Sequence, residues 1–303
     1  MLRRVPAVNP LTRGTLASLE ASIRAATGNS ARIGDLRPVA GGDINRAAVL
    51  RHGGQRLFVK WNEARWATMF AAEARGLREL ADSHTLRVPR PICDGQDDAA
   101  SWLVLEFLAL QPAGDEAALG AGLARMHRCT ADRHGWQTDN TIGTTAQPNR
   151  PDSDWLRFWR QQRLQHQLEL AARNGYGGRL QSLGGRLLAA LPDLLAGHQP
   201  APSLLHGDLW AGNRAFLASG EPVIYDPAVY YGDRETDLAM TELFGGFGDR
   251  FRAAYRAHFP LAPGYERRRT LYNLYHVLNH LNLFGASYLA RAEHMIRDLL
   301  ETP

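Results

Sequence analysis

The stretch LLHGDLWAGNRAFLASGEPVIYDPA (204–228) places three polar residues at fixed spacing around a hairpin pattern. Asp208 and Asn213 are five residues apart, and Asp226 follows Asn213 by 13 residues. The loop after His206 would present Asp208 to solvent, and the hairpin would return Asp226 to the same place. A single Asp here is most simply a turn or helix-cap residue. The three residues together predict a functional site.

This spacing is that of protein kinases, in which a catalytic-loop Asp and Asn precede a metal-binding Asp. In this chain Asp226 is followed by Pro-Ala instead of Phe-Gly. Oxygen ligands such as those of Asn213 and Asp226 suit Mg²⁺, which offsets phosphate charge during transfer from ATP. Asp208 is then the predicted acceptor for the proton of the attacking hydroxyl.

Lysine occurs once in the chain. Lysine and arginine together number 35, and all of them except Lys60 are arginines. LFVK (57–60) ends the third predicted strand, and Glu73 lies in the helix predicted over 64–80. In kinases such a lysine contacts the ATP phosphates and pairs with a helix glutamate, and a compact ammonium fits there better than a guanidinium fork. The alternative is chance survival of one lysine in an arginine-biased chain.

Two further segments are candidates for nucleotide contacts. Gly41 and Gly42, in AGGDINRA (40–47), could lie over the phosphates or form a plain tight turn. Glu106, Phe107 and Leu108, in VLEFL (104–108), could bind an adenine ring through their backbone, although a buried edge strand explains them equally well. A Walker A loop is excluded, because the only lysine lacks the required glycine before it.

The pattern of elements predicts an α+β, two-lobed, protein-kinase-like fold. Residues 1–107 are predicted to form a nucleotide-binding lobe, a small antiparallel sheet with an N-terminal helix (11–28) and one key inserted helix. Residues 108–303 are predicted to form a mainly helical lobe that carries the catalytic loop and the substrate site. Its helices are predicted near 116–129, 154–173, 179–196, 234–244, 249–258, 266–283 and 285–300.

Composition limits the possible partners and compartment. The net charge of +4 comes without a long basic run, so no nucleic-acid partner is expected. Cys93 and Cys129 are too few for a disulfide framework and favour a reducing compartment. No apolar stretch is long enough to span a membrane, and Pro6 interrupts the start of any signal peptide. The protein is therefore expected to be cytoplasmic.

Several stretches, taken together, resemble the fructosamine/ketosamine 3-kinases, within the aminoglycoside phosphotransferase-like branch of the kinase fold. They are GGDINRA, LFVK, HGDLWAGN, VIYDPAVYYGDRETDLAMTELFGGF and TLYNLYHVLNHLNLFGASYL. The resemblance runs from about residue 33 to 300. HGD with the following Asn and Asp is shared by many small-molecule kinases, whereas Trp210 and the tract DPAVYYGDRE are much more particular to this family.

The resemblance implies ATP-dependent phosphorylation of the 3-hydroxyl of ketosamines, the adducts of ribulose, erythrulose or fructose with an amine. Elimination of that phosphate would release the amine, so these enzymes are implied to act in deglycation and protein repair. By position, Asp208 is similar to the family's proton acceptor, and Asn213 and Asp226 to its Mg²⁺ ligands. Lys60 with Glu73 is similar to its phosphate-anchoring pair. The implied cofactors are ATP and Mg²⁺, and the implied substrates are small ketosamines or glycated lysines on proteins.

The residues that contact the sugar are less well defined by the sequence. Trp210, Tyr230 and Tyr231 could stack on sugar faces, and each could equally be a packing residue. The same choice applies to Trp136, Asp139 and Asn140, whereas Asp233 and Asp237 are interpreted as anchors of the loop. A kinase for an aminoglycoside, a choline-like amine or another metabolite remains an alternative, as does a non-catalytic nucleotide-binding module. The preferred sugar, the preferred amine and the oligomeric state stay open.

Overall fold

The computed structural model describes residues 11–39 and 44–301, and its fold is α+β. The chain forms two compact units that are not continuous in sequence. The small unit contains residues 11–39, 44–114 and 215–225, and the large unit contains residues 115–214 and 226–301. The hairpin between Asn213 and Asp226 therefore belongs to the small unit, whereas both of these residues belong to the large one.

A five-stranded antiparallel sheet forms the centre of the small unit, with strand order β1-β2-β3-β5-β4. Its elements are α1 (Arg13–Thr27), β1 (Ile33–Val39), β2 (Arg46–His52), β3 (Gln55–Glu63), α2 (Ala67–Asp82), β4 (Pro91–Gln96) and β5 (Ala100–Glu106). The predicted strands and the inserted helix are all present. Because β3 is the central strand, it is paired on both edges, and its residue Lys60 lies between Ala47 of β2 and Leu103 of β5.

Helix α1 closes one face of this sheet. It begins at a cap in which the Thr12 hydroxyl accepts a hydrogen bond from the Thr15 N–H, and it ends at Gly28, which has a φ of 69°. Leu19 and Ile23, one helical turn apart, are completely buried. They join a core cluster with sheet residues that include Leu50, Val59, Trp61 and Trp102.

Helices dominate the large unit. They are α3 (Glu116–Met126), α4 (Trp155–Trp159), α5 (His166–Arg173), α6 (Arg179–Leu194), α7 (Glu235–Leu243), α8 (Asp249–His258), α9 (Tyr265–Phe284) and α10 (Leu289–Glu301). The helix predicted over 154–173 is interrupted by a π-helical segment, Arg160–Gln165, between α4 and α5. Each of the other predicted helices is present to within a few residues at its ends.

Short strands shape the irregular part of the large unit. They are β6 (Asn140–Ile142), β7 (Thr145–Gln147), β8 (Ser203–Leu205) and β11 (Tyr230–Gly232), and β9 (Arg214–Phe216) and β10 (Pro222–Ile224) form the predicted hairpin. Strand β8 pairs with β11, so that Leu205 lies opposite Tyr230. The segments that carry Asp208 and Asp226 are thereby brought side by side. Among residues 11–39 and 44–301, no helix combines the length and apolar character required to cross a bilayer.

Candidate active site

The loop after β8 is fixed by a glycine. Gly207 has a φ of 82°, and a Cβ at this position would collide with the carbonyl oxygen of Ala228. Only glycine combines this backbone conformation with so close an approach. The Ala228 N–H also donates to the His206 carbonyl at 2.8 Å, so the loop and the segment after Asp226 are joined directly.

One amide connects the three predicted residues of the large unit. Asn213 Nδ2 donates to the backbone carbonyl of Asp208 at 2.9 Å and to Asp208 Oδ2 at 3.2 Å. The same nitrogen lies 3.4 Å from the backbone carbonyl oxygen of Asp226. The amide oxygen Oδ1 takes part in none of these contacts. With the Asp226 carboxylate it offers two hard oxygen donors, which is the ligand chemistry that Mg²⁺ requires.

Asp226 has an unusual backbone. Its φ of 57° lies in the left-handed region, which residues other than glycine rarely adopt. Such conformations cost on the order of 1–3 kcal/mol and persist where the surrounding structure holds them, typically at functional sites. The chain therefore maintains a strained conformation at the position predicted to bind a metal.

The environment of Asp208 favours its neutral form. The side chain is partly buried at the start of the loop. Burial raises its pKa to about 7, and the nearby carboxylates of Asp226 and Asp237 act in the same direction, whereas the hydrogen bond from Asn213 opposes them. A carboxylate with a pKa near neutrality can take a proton from a hydroxyl and give it up again, as a general base must.

Asp237, on α7, anchors the loop that follows β8. Its carboxylate accepts hydrogen bonds from the His206 N–H at 2.7 Å and the Gly207 N–H at 2.8 Å, and its Oδ2 lies 3.2 Å from His127 Nε2. Burial alone would raise the pKa of Asp237, but these bonds and the charges of His127 and His206 hold it below its ordinary value. Behind it, His127 Nδ1 contacts the Tyr255 hydroxyl at 2.8 Å. The sequence suggested an anchor at Asp237 but gave no signal for His127 or Tyr255.

In the small unit, the structure brings Lys60 and Glu73 together. Lys60 Nζ lies 2.7 and 2.9 Å from the two carboxylate oxygens of Glu73, and both side chains are about nine-tenths buried. The lysine comes from the central strand β3 and the glutamate from α2. This ion pair matches the pattern predicted from LFVK and the following helix.

Comparisons with known proteins identify the family. The family model described as fructosamine kinase matches residues 16–302. The chain belongs to the fructosamine kinase family. A Synechocystis protein named a probable ketoamine kinase is 45% identical over 299 residues, covering 98% of this chain and 99% of that protein. The chloroplastic protein-ribulosamine 3-kinase of Arabidopsis thaliana is 41% identical over 278 residues, covering 90% of this chain and 85% of that protein.

Solved structures agree with this assignment. The crystal structure of a candidate fructosamine-3-kinase from Haemophilus somnus has a TM-score of 0.86 at 29% identity, covering 93% of this chain and 97% of the other. A choline kinase from Streptococcus pneumoniae, only 13% identical, has a TM-score of 0.65 and covers 94% of this chain and 99% of the other. The second likeness shows the fold alone, that of the protein-kinase-like phosphotransferases. Membership of this family makes the chain a kinase, and ATP is the phosphoryl donor implied by that class.

Residues 106–108 of this fructosamine kinase family member, which the sequence predicts to contact adenine, already make several contacts within the protein. The Glu106 carboxylate accepts from Arg87 Nη2 at 2.7 Å and from the Arg90 N–H at 2.6 Å, and the Glu106 N–H donates to the Arg90 carbonyl. The Phe107 ring lies 4.2 Å from the guanidinium of Arg56, and Leu108 is half-buried. An adenine ring would have to use the remaining backbone groups of residues 106–108. Gly41 and Gly42 lie outside the described residues.

The three aromatic residues suggested for sugar contacts differ in exposure. Trp210 is 40% exposed and meets the exposed Phe244 ring edge to face at 6.5 Å. Tyr231 is half-buried in β11. Tyr230 is only 2% exposed, because its ring stacks on that of Phe158 and the guanidinium of Arg163 lies over it at 4.1 Å. Tyr230 is therefore a packing residue in this structure and offers no ring face to a sugar.

Proposed function

We propose that this fructosamine kinase family member transfers the γ-phosphoryl group of ATP to the 3-hydroxyl of a ketosamine. The 3-oxygen forms a bond to the γ-phosphorus, the bond from phosphorus to the bridging oxygen of ADP breaks, and the hydroxyl proton passes to the Asp208 carboxylate. ADP leaves, and the product is a ketosamine 3-phosphate. The phosphate is on C3, next to the C2 carbonyl, so enolisation between C1 and C2 makes it an allylic leaving group. Its later loss would leave an imine at C1, and hydrolysis of that imine by water would release the amine.

The observation that carries the proposal is the Asn213 amide, which contacts both Asp208 and the backbone of Asp226. It keeps a carboxylate suited to proton transfer beside two oxygen ligands suited to a hard cation. Asn213 and Asp226 are the residues that would hold Mg²⁺. When bound, Mg²⁺ would offset the charge of the β- and γ-phosphates.

The small unit is proposed to supply the nucleotide contacts. Lys60, fixed by Glu73, would contact the phosphates, because an ammonium held by a buried carboxylate keeps one orientation toward further anionic oxygens. Gly41, Gly42 and the backbone of residues 106–108 are proposed to contact the phosphates and the adenine. Two relatives in plants are named protein-ribulosamine 3-kinases, which favours ribulosamine over fructosamine as the ketosamine and includes protein-bound adducts. Free thiols at Cys93 and Cys129 favour a reducing compartment such as the cytoplasm.

Trp210 is proposed to contact the substrate, since its exposed ring lies two residues after the proposed base. Tyr231 remains a second candidate. We expect Trp210→Ala to raise the KM for the ketosamine and to leave the affinity for ATP unchanged. A KM within twofold of the wild-type value would remove Trp210 from the substrate site.

A substrate panel tests the proposal. Ribulosyl-lysine, fructosyl-lysine, an aminoglycoside and choline would each be incubated with the protein, ATP and Mg²⁺, with ADP release as the readout. Asp208→Asn serves as the matched control that subtracts background ATP hydrolysis. We expect turnover with the ketosamines, fastest with ribulosyl-lysine. Phosphorylation of the aminoglycoside or choline without that of any ketosamine would contradict the proposal.

A further inference from the structure

A buried arginine lies in the π-helical segment of the large unit. Arg163 belongs to the segment Arg160–Gln165 and is 0% exposed. Within the described part of the chain, no carboxylate lies within ion-pair distance of its guanidinium, which instead faces the rings of Tyr230 at 4.1 Å and Phe158 at 4.7 Å. Buried charges without a counter-ion are costly and rare. Single π-turns inside helices are frequent at functional sites.

Neutral oxygens hold this guanidinium. Arg163 Nη1 donates to the Pro148 carbonyl at 2.6 Å, and Nη2 donates to Asn149 Oδ1 at 2.7 Å. Asn149 is itself completely buried. Both polar atoms of the Asn149 amide are engaged. Its orientation is therefore set by Arg163 at Oδ1 and by Asn140 at Nδ2.

From Asn149 the hydrogen bonds lead to the segment after Asp226. Asn149 Nδ2 and Gln147 Nε2 each donate to Asn140 Oδ1 at 2.8 Å. Asn140 Nδ2 then donates to the Val229 carbonyl at 2.8 Å, and Gln147 Nε2 donates to the Ala228 carbonyl at 3.1 Å. Asn140 thus has a structural partner at each amide atom and is not placed to bind sugar hydroxyls.

Helix α9 completes the set. The Tyr275 hydroxyl donates to Gln147 Oε1 at 2.7 Å, and both side chains are buried. Together, Arg163, Asn149, Asn140, Gln147 and Tyr275 form what we call the Arg163 network. Its bonds end on the carbonyls of Ala228 and Val229, the second and third residues after Asp226.

We propose that the Arg163 network positions the Asp226 carboxylate and so determines how tightly the site binds its divalent cation. Asp226 has a left-handed backbone conformation, which persists only where its surroundings fix it. The network supplies this fixation from two directions, through bonds to two successive carbonyls and through the cation–π contact with Tyr230. The proposal rests on the assignment of Asp226 as a metal ligand under the proposed function. These five residues are positioning residues, since none of them contacts the reacting atoms.

The test compares two tyrosine hydroxyls on the same helix. Tyr275→Phe removes one bond of the network, whereas the control Tyr272→Phe removes an equally buried hydroxyl that donates to Asp233 outside the network. Mn²⁺ serves as a spectroscopic probe for the cation, and its binding in the presence of ADP is measured by electron paramagnetic resonance. The free Mg²⁺ concentration for half-maximal turnover and the melting temperature are measured alongside.

We expect Tyr275→Phe to weaken Mn²⁺ binding about threefold to tenfold, the effect of one lost hydrogen bond. Tyr272→Phe should leave Mn²⁺ binding within about twofold of wild type, even where its melting temperature falls by the same amount. Arg163→Lys, which keeps the charge but loses the forked donors, should weaken it more if the variant folds. Unchanged Mn²⁺ affinity in Tyr275→Phe, equal changes in both tyrosine variants, or no Mn²⁺ binding by the wild type would overturn the proposal.

The two proposals fail in different ways. If the wild type binds Mn²⁺ with the expected pattern among variants but phosphorylates no ketosamine, the proposed function is wrong and the positioning role stands. If the wild type phosphorylates ketosamines while Tyr275→Phe binds Mn²⁺ as tightly as wild type, only the positioning role is wrong.

Discussion

Asp208 and Asp237 are carboxylates of the large unit, the first half-buried and the second buried. Their pKa values are shifted in opposite directions. Asp237 accepts two backbone N–H groups and contacts His127, and its pKa lies below the ordinary value. Asp208 accepts one side-chain hydrogen bond, from Asn213, and burial beside other carboxylates raises its pKa to about 7. Burial raises the pKa of both, so the direction of the net shift is decided by their hydrogen bonds and by the neighbouring charges, which are imidazoles at Asp237 and carboxylates at Asp208.

The difference separates an anchor from a base. A carboxylate whose lone pairs are filled by fixed donors holds the loop in place and stays ionised. One with few donors keeps oxygen lone pairs available for an incoming hydroxyl, at the expense of its own ionisation. Both are needed here, since the backbone of His206 and Gly207, fixed by Asp237, leads directly into Asp208.

The largest expected effect concerns the base. Asp208→Asn should lower kcat by about 10²- to 10⁴-fold, because an amide cannot accept the hydroxyl proton. The affinity for ATP should stay nearly unchanged, since the side chain is not a proposed nucleotide contact. Turnover with a ketosamine and nucleotide binding by calorimetry check this. Turnover within tenfold of wild type would mean that Asp208 is not the base.

The next largest expected effect is on stability, at the anchoring carboxylate of Asp237. Asp237→Asn should destabilise the fold by about 2–4 kcal/mol, because an amide nitrogen would face backbone N–H donors in a buried site. The matched control is Asp249→Asn, whose side chain is 98% exposed, and for it we expect a change below about 0.5 kcal/mol. Urea unfolding measures both. Equal stability of the two variants would remove the distinction between Asp237 and a surface carboxylate.

In the small unit, the carboxylate of Glu73 is held by a single ammonium, that of Lys60. Lys60→Arg preserves the charge and an ion pair but displaces the cationic centre, so we expect turnover to fall about 10²-fold with the fold intact. Steady-state kinetics and circular dichroism would show this. A rate equal to wild type would make Lys60 interchangeable with the arginines of the chain.

The smallest expected effect is on how the free energy of unfolding depends on pH. The pKa of Asp208 is higher in the folded protein than in the unfolded chain, so its contribution to stability is present below about pH 4 and is lost as the pH rises through about 7. Asp208→Asn cannot ionise and should be more stable than wild type at pH 8. The gain should shrink toward pH 4. Urea titrations at several pH values, without nucleotide, would refute this if the difference did not depend on pH.

Local patterns predicted the parts of the site that depend on nearby residues. Lys60 and Glu73 are 13 residues apart on a strand and the next helix, and Asp208, Asn213 and Asp226 lie on either side of one hairpin. This nearness in sequence favours contact within each set, and the pairing of β8 with β11 completes the second set. The helices of the large unit were equally predictable, because their apolar residues recur with the helical period over ten or more positions.

Contacts between distant segments were not predictable. Arg163 packs against Tyr230 and Tyr275, which are far away in sequence, and arginine is ordinarily a surface residue. Strands β6 and β7 contain three residues each, too few to show an alternating pattern. In β11, neighbouring side chains point to opposite faces, so one tyrosine of the pair 230–231 had to be buried, but the sequence did not indicate which.

The decisive measurement is the position of the phosphate in the product. Ribulosyl-lysine would be incubated with the protein, ATP and Mg²⁺, and the product examined by ³¹P–¹H correlation NMR. We expect the new phosphorus to couple to the proton on C3, and we expect no such signal with Asp208→Asn. A phosphate on any other hydroxyl, or a 3-phosphate formed equally well by Asp208→Asn, would contradict the mechanism.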